Sequence, residues 1–180
     1  MKYTALNNHL VVTPRGERSS FDIGIDNKNH TGIGIREKFL DGNMVKMSEC
    51  LSFIVVSSAV KGIEIGDEVW IRNSSVNYIG GDVENYWCEE KDIMLLKDKP
   101  YKDNVLCRNV VEKSKIVVPG QLESNINNAF VYHAGNEKQL KSGDYVAYNY
   151  RKINSLTFNG EKMFVIDKKD ILAVIEQDEQ

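Results

Sequence analysis

The residues of this chain that could do chemistry are few, and their spacing does not bring them into working sets. Cys50, Cys88 and Cys107 are an odd number at wide spacing, which suggests neither a disulfide framework nor a zinc site. His9, His30 and His133 have no Cys, Asp or Glu at ligand spacing, so each reads as a satisfied polar histidine. Cys107 and His133 are the one pair that could act as nucleophile and base, since both fall on predicted strands of the same half. A packed thiol is the preferred reading of Cys107. Ser57-Ser58 and Ser74-Ser75 lack a nucleophile-elbow setting. Gly32-Ile33-Gly34 lacks the third glycine, the preceding strand and the following helix of a phosphate loop. The chain is therefore expected to have no catalytic residue, metal ligand or cofactor, and to work by binding.

Composition narrows the binding classes. Of 180 residues, 42% are apolar and 27% charged, the balance of a globular protein rather than a disordered one. A net charge of −3, with Lys and Arg scattered among acids, argues against nucleic-acid binding by general phosphate neutralisation. The opening Met1–His9 has no apolar core segment and no small-residue cleavage site, so no signal peptide is expected. No apolar run approaches the ~20 residues of a membrane-spanning helix. A reducing, cytoplasmic setting with three packed thiols is the expectation.

The elements that must position any binding residue are strands. Leu10–Thr13, Ser52–Val56, Glu68–Ile71, Ala129–Tyr132 and Tyr145–Tyr148 are short β-branched or aromatic runs. They are bounded by turn dipeptides: Gly66-Asp67, Gly80-Gly81, Gly143-Asp144 and Asn159-Gly160. Asn159-Gly160, between Leu156–Phe158 and Met163–Ile166, is a hairpin signal. No segment has convincing helical periodicity. The class expected is all-β, built of small barrels or sandwiches.

Three blocks recur in order. Ala5-Leu6-Asn7-Asn8-His9-Leu10-Val11-Val12 lies against Pro100-Tyr101-Lys102-Asp103-Asn104-Val105-Leu106-Cys107. The turn Gly66-Asp67 and its apolar strand lie against Gly143-Asp144 and its strand. Glu89-Glu90-Lys91-Asp92-Ile93-Met94-Leu95-Leu96 lies against Asp167-Lys168-Lys169-Asp170-Ile171-Leu172-Ala173-Val174. Gly66 to Asp92 is 26 positions and Gly143 to Asp170 is 27. The offset drops from 95 to about 77 after the first block, so the first copy carries an insertion of roughly 18 residues between Pro14 and Ser52. The expected organisation is a tandem repeat. Residues 1–97 form a first β-barrel with a loop insertion at about 15–51, and residues 100–180 form a second. Lys97-Asp98-Lys99-Pro100 is expected as a short exposed linker.

These blocks resemble the GroES-type co-chaperonins, ring-forming partners of chaperonins. That family opens with a Pro-Leu-x-Asp-x-Val stretch, to which Pro100–Cys107 is similar. Its Gly-Asp turn is matched by Ile65-Gly66-Asp67 and Ser142-Gly143-Asp144. Its closing acidic-Asp-Ile-Leu-Ala stretch is matched by Lys169-Asp170-Ile171-Leu172-Ala173-Val174-Ile175-Glu176. The roof hairpin of bacterial members and the double glycine before the aliphatic tripeptide are absent, departures that resemble phage-encoded members.

The resemblance implies two tandem small GroES-like β-barrels and a co-chaperonin function without covalent chemistry. It also implies a mobile loop carrying an aliphatic tripeptide that binds the chaperonin ring. Ile116-Val117-Val118 is the candidate, with Ile33 and Ile35 in the first copy. Ile116–Val118 reads equally as another strand. The resemblance further implies that the closing strand pairs with a neighbouring subunit of a homo-oligomer through Ile171, Leu172, Val174 and Ile175. The rival reading is a structural subunit of a phage virion or other large assembly, with neighbouring assembly subunits as partners. No nucleic acid, membrane or cofactor is expected in either case.

Overall fold

The computed structural model describes residues 3–15, 35–40, 43–79, 85–109, 126–149 and 152–176. Among these the structure is all-β, with two sheets, three one-turn 3₁₀ helices and no α-helix. The strands are β1 (His9–Pro14), β2 (Ile35–Leu40), β3 (Asn43–Ser58), β4 (Glu68–Arg72), β5 (Asn77–Tyr78), β6 (Tyr86–Glu89) and β7 (Ile93–Leu96). They continue as β8 (Lys99–Pro100), β9 (Asn104–Asn109), β10 (Ile126–His133), β11 (Tyr145–Asn149), β12 (Lys152–Phe158), β13 (Glu161–Asp167) and β14 (Ile171–Ile175). The chain divides into two compact units, Met1–Arg36 with Ser48–Tyr101, and Glu37–Met47 with Lys102–Gln180.

In the first unit the antiparallel ladders run in the order β8-β7-β4-β3-β1-β6-β5. In the second they run β14-β11-β10-β9-β13-β12. Neither set of described ladders closes on itself.

The Gly-Asp turns explain how two of these strands are joined. Gly66 has φ +92° and Gly143 φ +94°, a left-handed backbone that a Cβ disfavours. In each unit the glycine N–H donates to a carbonyl on the preceding long strand, Val55 or Val131, at 2.8 Å. The same valine returns its N–H to the aspartate carbonyl at 2.9 Å. The aspartate carboxylate then accepts a backbone N–H three residues back, from Glu64 at 3.0 Å and from Lys141 at 2.7 Å. The Asp side chain thus satisfies a loop amide that no ladder reaches.

Each unit has its own core. The first packs Leu10, Val12, Phe53, Val55, Val69, Ile71, Tyr86 and Ile93. The second packs Val105, Cys107, Ala129, Val131, Val146, Tyr148, Phe164 and Ile166. Asn159 (φ +50°) and Gly160 (φ +79°) join β12 to β13 with both turn residues left-handed, the two-residue hairpin geometry that an Asn-Gly pair favours.

Two expectations are corrected. The stretch read as a loop insertion contains β2 and the start of β3, which pairs with it. β3 is therefore 16 residues long, not the five of Ser52–Val56. Lys97-Asp98-Lys99-Pro100, expected as a linker, is a tight turn with Lys97 left-handed (φ +59°) followed by β8. Leu95 and Leu96 on one side of that turn pair with Pro100 and Lys99 on the other. Pro100 fits because an edge strand leaves its missing N–H without consequence.

Candidate functional site: the open edge of the second sheet

The closing strand of the second unit is set by the turn before it. Asp167 accepts the Lys169 N–H at 3.1 Å, capping the 3₁₀ turn Lys168–Asp170 that delivers β14. The Lys168 N–H donates to Asp103 O at 2.8 Å, tying the turn to the start of β9. One side of β14 pairs with β11, Tyr145 opposite Ile175 and Ala147 opposite Ala173, with Leu172 as the extra residue of a bulge. No other described strand pairs with it. Leu172 is 54% exposed and Val174 47%, and only Ile171 packs against the core. Beside the strand lies a shallow groove of about 200 Å³, lined by Leu140, Ile171, Leu172, Val174 and the ion pair of Lys168 with Glu137. Lys168 holds the Glu137 carboxyl below the usual glutamate range and is itself raised by it.

The corresponding strand of the first unit is covered. Ile93, Met94 and Leu95 of β7 are buried, and β8 pairs along the edge away from β4. The Tyr101 N–H donates to Met94 O at 2.9 Å. Its ring packs against the core and its hydroxyl donates to Glu90 Oε1 at 2.8 Å. Burial and the Glu90 carboxylate push the Tyr101 phenol up to about 12, so it stays a hydrogen-bond donor at physiological pH. Among the described residues, Lys99–Tyr101 run along the first edge and no strand runs along the second.

The other predicted site residues fall elsewhere. Ile116, Val117, Val118 and Ile33 lie outside the described residues. Ile35 is the first residue of β2. Ile171, Leu172, Val174 and Ile175 share β14. Cys50, Cys88 and Cys107 are free and buried. Burial pushes the Cys107 thiol up to about 12, and burial with the nearby Asp92 and Glu89 does the same to Cys88, so neither is a ready thiolate. His133 Nδ1 accepts the Gly135 N–H at 2.9 Å, a local turn contact rather than an approach to Cys107. Among the described residues no three His, Cys, Asp or Glu side chains cluster as metal ligands.

Sequence reasoning missed the groove residues Glu137 and Lys168 and the covering role of Tyr101. The signal for Tyr101 was present, because it follows directly on the turn after the strand it covers. The ion pair has no local signature, since its partners are 31 positions apart.

Comparison with known proteins gives matches to one family over about half of the chain. The family model described as Chaperonin 10 Kd subunit matches residues 97–175. The co-chaperonin GroES of Fervidobacterium nodosum is 32% identical over 89 residues, covering 46% of this chain and all of the relative. That of Pseudomonas fluorescens is 30% identical over 96 residues, covering 45% of this chain and 99% of the relative. A whole relative is thus matched by about half of this chain, and on that match the chain belongs to the chaperonin-10 family of co-chaperonins.

Proposed function

We propose that the chain is a tandem co-chaperonin, two divergent chaperonin-10 barrels in one polypeptide at residues 1–97 and 100–180. It engages a chaperonin ring and assists folding without chemistry of its own. The observation that carries this reading is the family match over residues 97–175. Supporting the duplication is the recurrence of details that sequence alone does not demand. An extra residue breaks the ladder at Val56 between β1 and β3, and at Tyr132 between β9 and β10. Another breaks it at Met94 between β4 and β7, and at Leu172 between β11 and β14. Bulges at matching places in two ladders are designed features of a fold and hard to produce independently.

The contacts with the chaperonin are made by Ile116-Val117-Val118 in the second copy and by Ile33 and Ile35 in the first. Two loops on one chain raise local concentration, so that weak contacts add. Strand β14 pairs with a neighbouring subunit, which would remove Leu172 and Val174 from water. The cell's cytoplasm is the place of action, a host's if the divergence reflects a phage origin. No observation favours a virion part over this reading.

The test is co-migration with a chaperonin ring in the presence of ATP, using the wild type and the Ile116→Ser/Val117→Ser/Val118→Ser variant. Binding by the wild type, and its loss in a variant that melts at the same temperature, is the expected result. A variant that melts many degrees lower makes these residues core strand. An absence of wild-type binding where an established co-chaperonin binds sinks the proposal.

A further inference from the structure

Asn159-Gly160 is the one Asn-Gly dipeptide of the chain, and the fold leaves it open to solvent. Both residues are exposed. They stand outside the β12–β13 ladder, whose last pair is Phe158 with Glu161. Among the described residues no turn or loop hydrogen bond engages the Gly160 N–H, and the Asn159 side-chain amide makes none. Nothing lies within 4 Å of where a Gly160 Cβ would stand, so neither a side chain of its own nor a neighbour shields its amide nitrogen. Asn7 and Asn8 are left-handed too, with φ of 52° and 59°, but Asn8 and His9 follow them, and those side chains crowd the amide nitrogen that would have to react. The base of the Asn159-Gly160 turn, by contrast with its tip, is held. Phe158 is buried, with its ring edge-on to Tyr132 at a centroid distance of 6.4 Å. Arg108 lies over the same Tyr132 ring, 4.6 Å from its centroid, and pairs with Glu161 at 3.1 Å. The left-handed φ values of Asn159 and Gly160 let so short a connection match the twist of its strands. β13 pairs onward with β9 from Met163 to Asp167, so a change in the length of the turn is felt beside the middle of the second sheet.

We propose that Asn159 is a site of spontaneous covalent modification, converting through an imide with the Gly160 nitrogen to aspartate and isoaspartate, and that the isoaspartyl form unfastens the β12–β13 hairpin. The Gly160 backbone nitrogen gives its proton to hydroxide and forms a bond to Asn159 Cγ. The bond from Cγ to Nδ2 breaks, and Nδ2 leaves as ammonia with a proton taken from water. A second water then opens the imide at one of its two carbonyls. Breaking the bond from the nitrogen to Cγ restores the ordinary backbone and leaves aspartate. Breaking the bond from the nitrogen to the main-chain carbonyl carbon leaves the chain running through Cβ and Cγ, which is isoaspartate. Nothing is oxidised or reduced, and the lost ammonia makes the change one-way. Either product carries a negative charge where the amide had none. The products differ in what the turn accepts. Aspartate keeps the backbone, and Asp-Gly suits the same two-residue turn. Isoaspartate adds one carbon to a connection without spare length, so Phe158 and Glu161 no longer meet as the closing pair. The Phe158 ring is then released from Tyr132 and the Glu161 carboxylate from Arg108, while the new carboxylate competes for the same guanidinium.

The experiment incubates the full folded chain in mildly alkaline buffer and maps its peptides by mass spectrometry over time, beside the same chain unfolded in urea. The expected result is that Asn159 converts ahead of every other asparagine of the folded chain, giving two isomeric acid peptides that separate by chromatography. Its rate should rise about tenfold from about pH 7 to about pH 8, following the deprotonated fraction of the amide. Asn159→Gly, which leaves a Gly-Gly pair that the same turn accepts, should lose the conversion and keep the fold. Amide hydrogen exchange on the separated aged forms reads the consequence. The isoaspartyl form should exchange faster along β12 and β13, whereas the aspartyl form and the Asn159→Asp variant should match the fresh protein. An Asn159 that stays intact in the folded chain while the urea-unfolded chain converts means that the native turn holds the side chain off the nitrogen, and overturns the proposal. Conversion of another asparagine first overturns it too. Aspartate at Asn159 without its isomer means direct hydrolysis and removes the imide. An isoaspartyl form that exchanges like the fresh protein overturns the unfastening of the hairpin.

Discussion

In the first unit the strand after the 3₁₀ turn is Ile93-Met94-Leu95-Leu96, and a folded-back segment covers it. In the second it is Ile171-Leu172-Ala173-Val174, with one edge unpaired among the described strands. Composition follows the difference. Large side chains fill the covered strand, whereas Ala173 and an exposed Leu172 occupy the open one. Behind these strands the cores use the same positions with sizes exchanged. The first places Phe53 edge-on to Tyr86, ring centroids 6.0 Å apart, with the smaller Ile71 nearby. The second has Ala129 where Phe53 stands and Tyr148 where Ile71 stands, and Tyr148 lies 5.6 Å from Phe164. Both cores hold an aromatic pair, with one of its rings delivered from a different strand in each. Cores tolerate such exchange when total volume is kept, so sequence similarity between the units fades while the packing problem stays the same.

The largest way to break this comparison is to remove the aromatic that one core depends on. Phe53→Ala should cost about 3–5 kcal/mol in chemical denaturation, as aromatic truncations in closed cores do. Adding Ile71→Tyr, which writes the second unit's solution into the first, should recover part of that loss. Strictly additive effects in the double variant would mean that the two positions do not share a volume, and the exchange would be coincidence. The terminal strands give the next contrast. Met94→Ala should cost about 2–5 kcal/mol. Leu172→Ala should stay within about 0.5 kcal/mol in the dissociated chain, as an exposed truncation does. Ile171→Asp should destabilise the second unit or disperse its assemblies, since Ile171 packs against the core and a carboxylate there would lose water. Equal costs at Met94 and Leu172 would show that the β14 edge is covered within the single chain.

How much of this was legible in the sequence depends on the range of the interaction. The Gly-Asp turns, the Asn159-Gly160 hairpin and the strands that follow them are local, set by left-handed φ and β-branched runs, and they read directly. β2 and the first half of β3 went unread even though Asp41-Gly42, between Phe39-Leu40 and Met44-Val45, is a hairpin dipeptide. The charged residues Arg36, Glu37, Lys38 and Lys46 diluted the apolar alternation that signals a strand. β14 was read as an apolar run suited to pairing on both sides, but that β7 meets the same need from within was not. That depends on a turn at Lys97, where a lysine adopts a left-handed φ usually taken by glycine or asparagine. The ion pair of Glu137 with Lys168 follows from the fold, not from any spacing.

A smaller effect separates backbone need from packing at the two Gly-Asp turns. Nothing lies within 4 Å of where a Cβ would stand at Gly66 or Gly143, so space does not forbid a side chain. The left-handed φ does, at about 1–2 kcal/mol for an ordinary L-residue. Gly66→Ala and Gly143→Ala should therefore each lower stability by about that amount, and Gly143→Asn by less, since asparagine tolerates this region. Thermal melting of the three variants reads it. An alanine cost near zero at one turn only would mean that the turns relax differently despite matching φ.

The smallest expected effect is one of pH, and it belongs to the first unit. The Asp67 carboxyl is held below its ordinary value of 3.8, chiefly by the Glu64 N–H it accepts and also by the Lys97 ammonium at 3.0 Å, against a burial that works the other way. Asp144 accepts the equivalent Lys141 N–H, but the residue aligned with Lys97 is Ile175. A carboxyl whose folded pKa is depressed contributes stability that is full above the unfolded value and is lost as pH falls through the folded one. Asp67→Asn should therefore lower the melting temperature at about pH 6, and the gap to wild type should shrink as the pH drops below about 3.8. Lys97→Met should remove only the ammonium's share of this effect and leave that of the amide. A gap that stays constant from about pH 6 to about pH 2.5 would show that the Asp67 side chain acts as a neutral turn acceptor, and that its charge adds nothing to the first unit's stability.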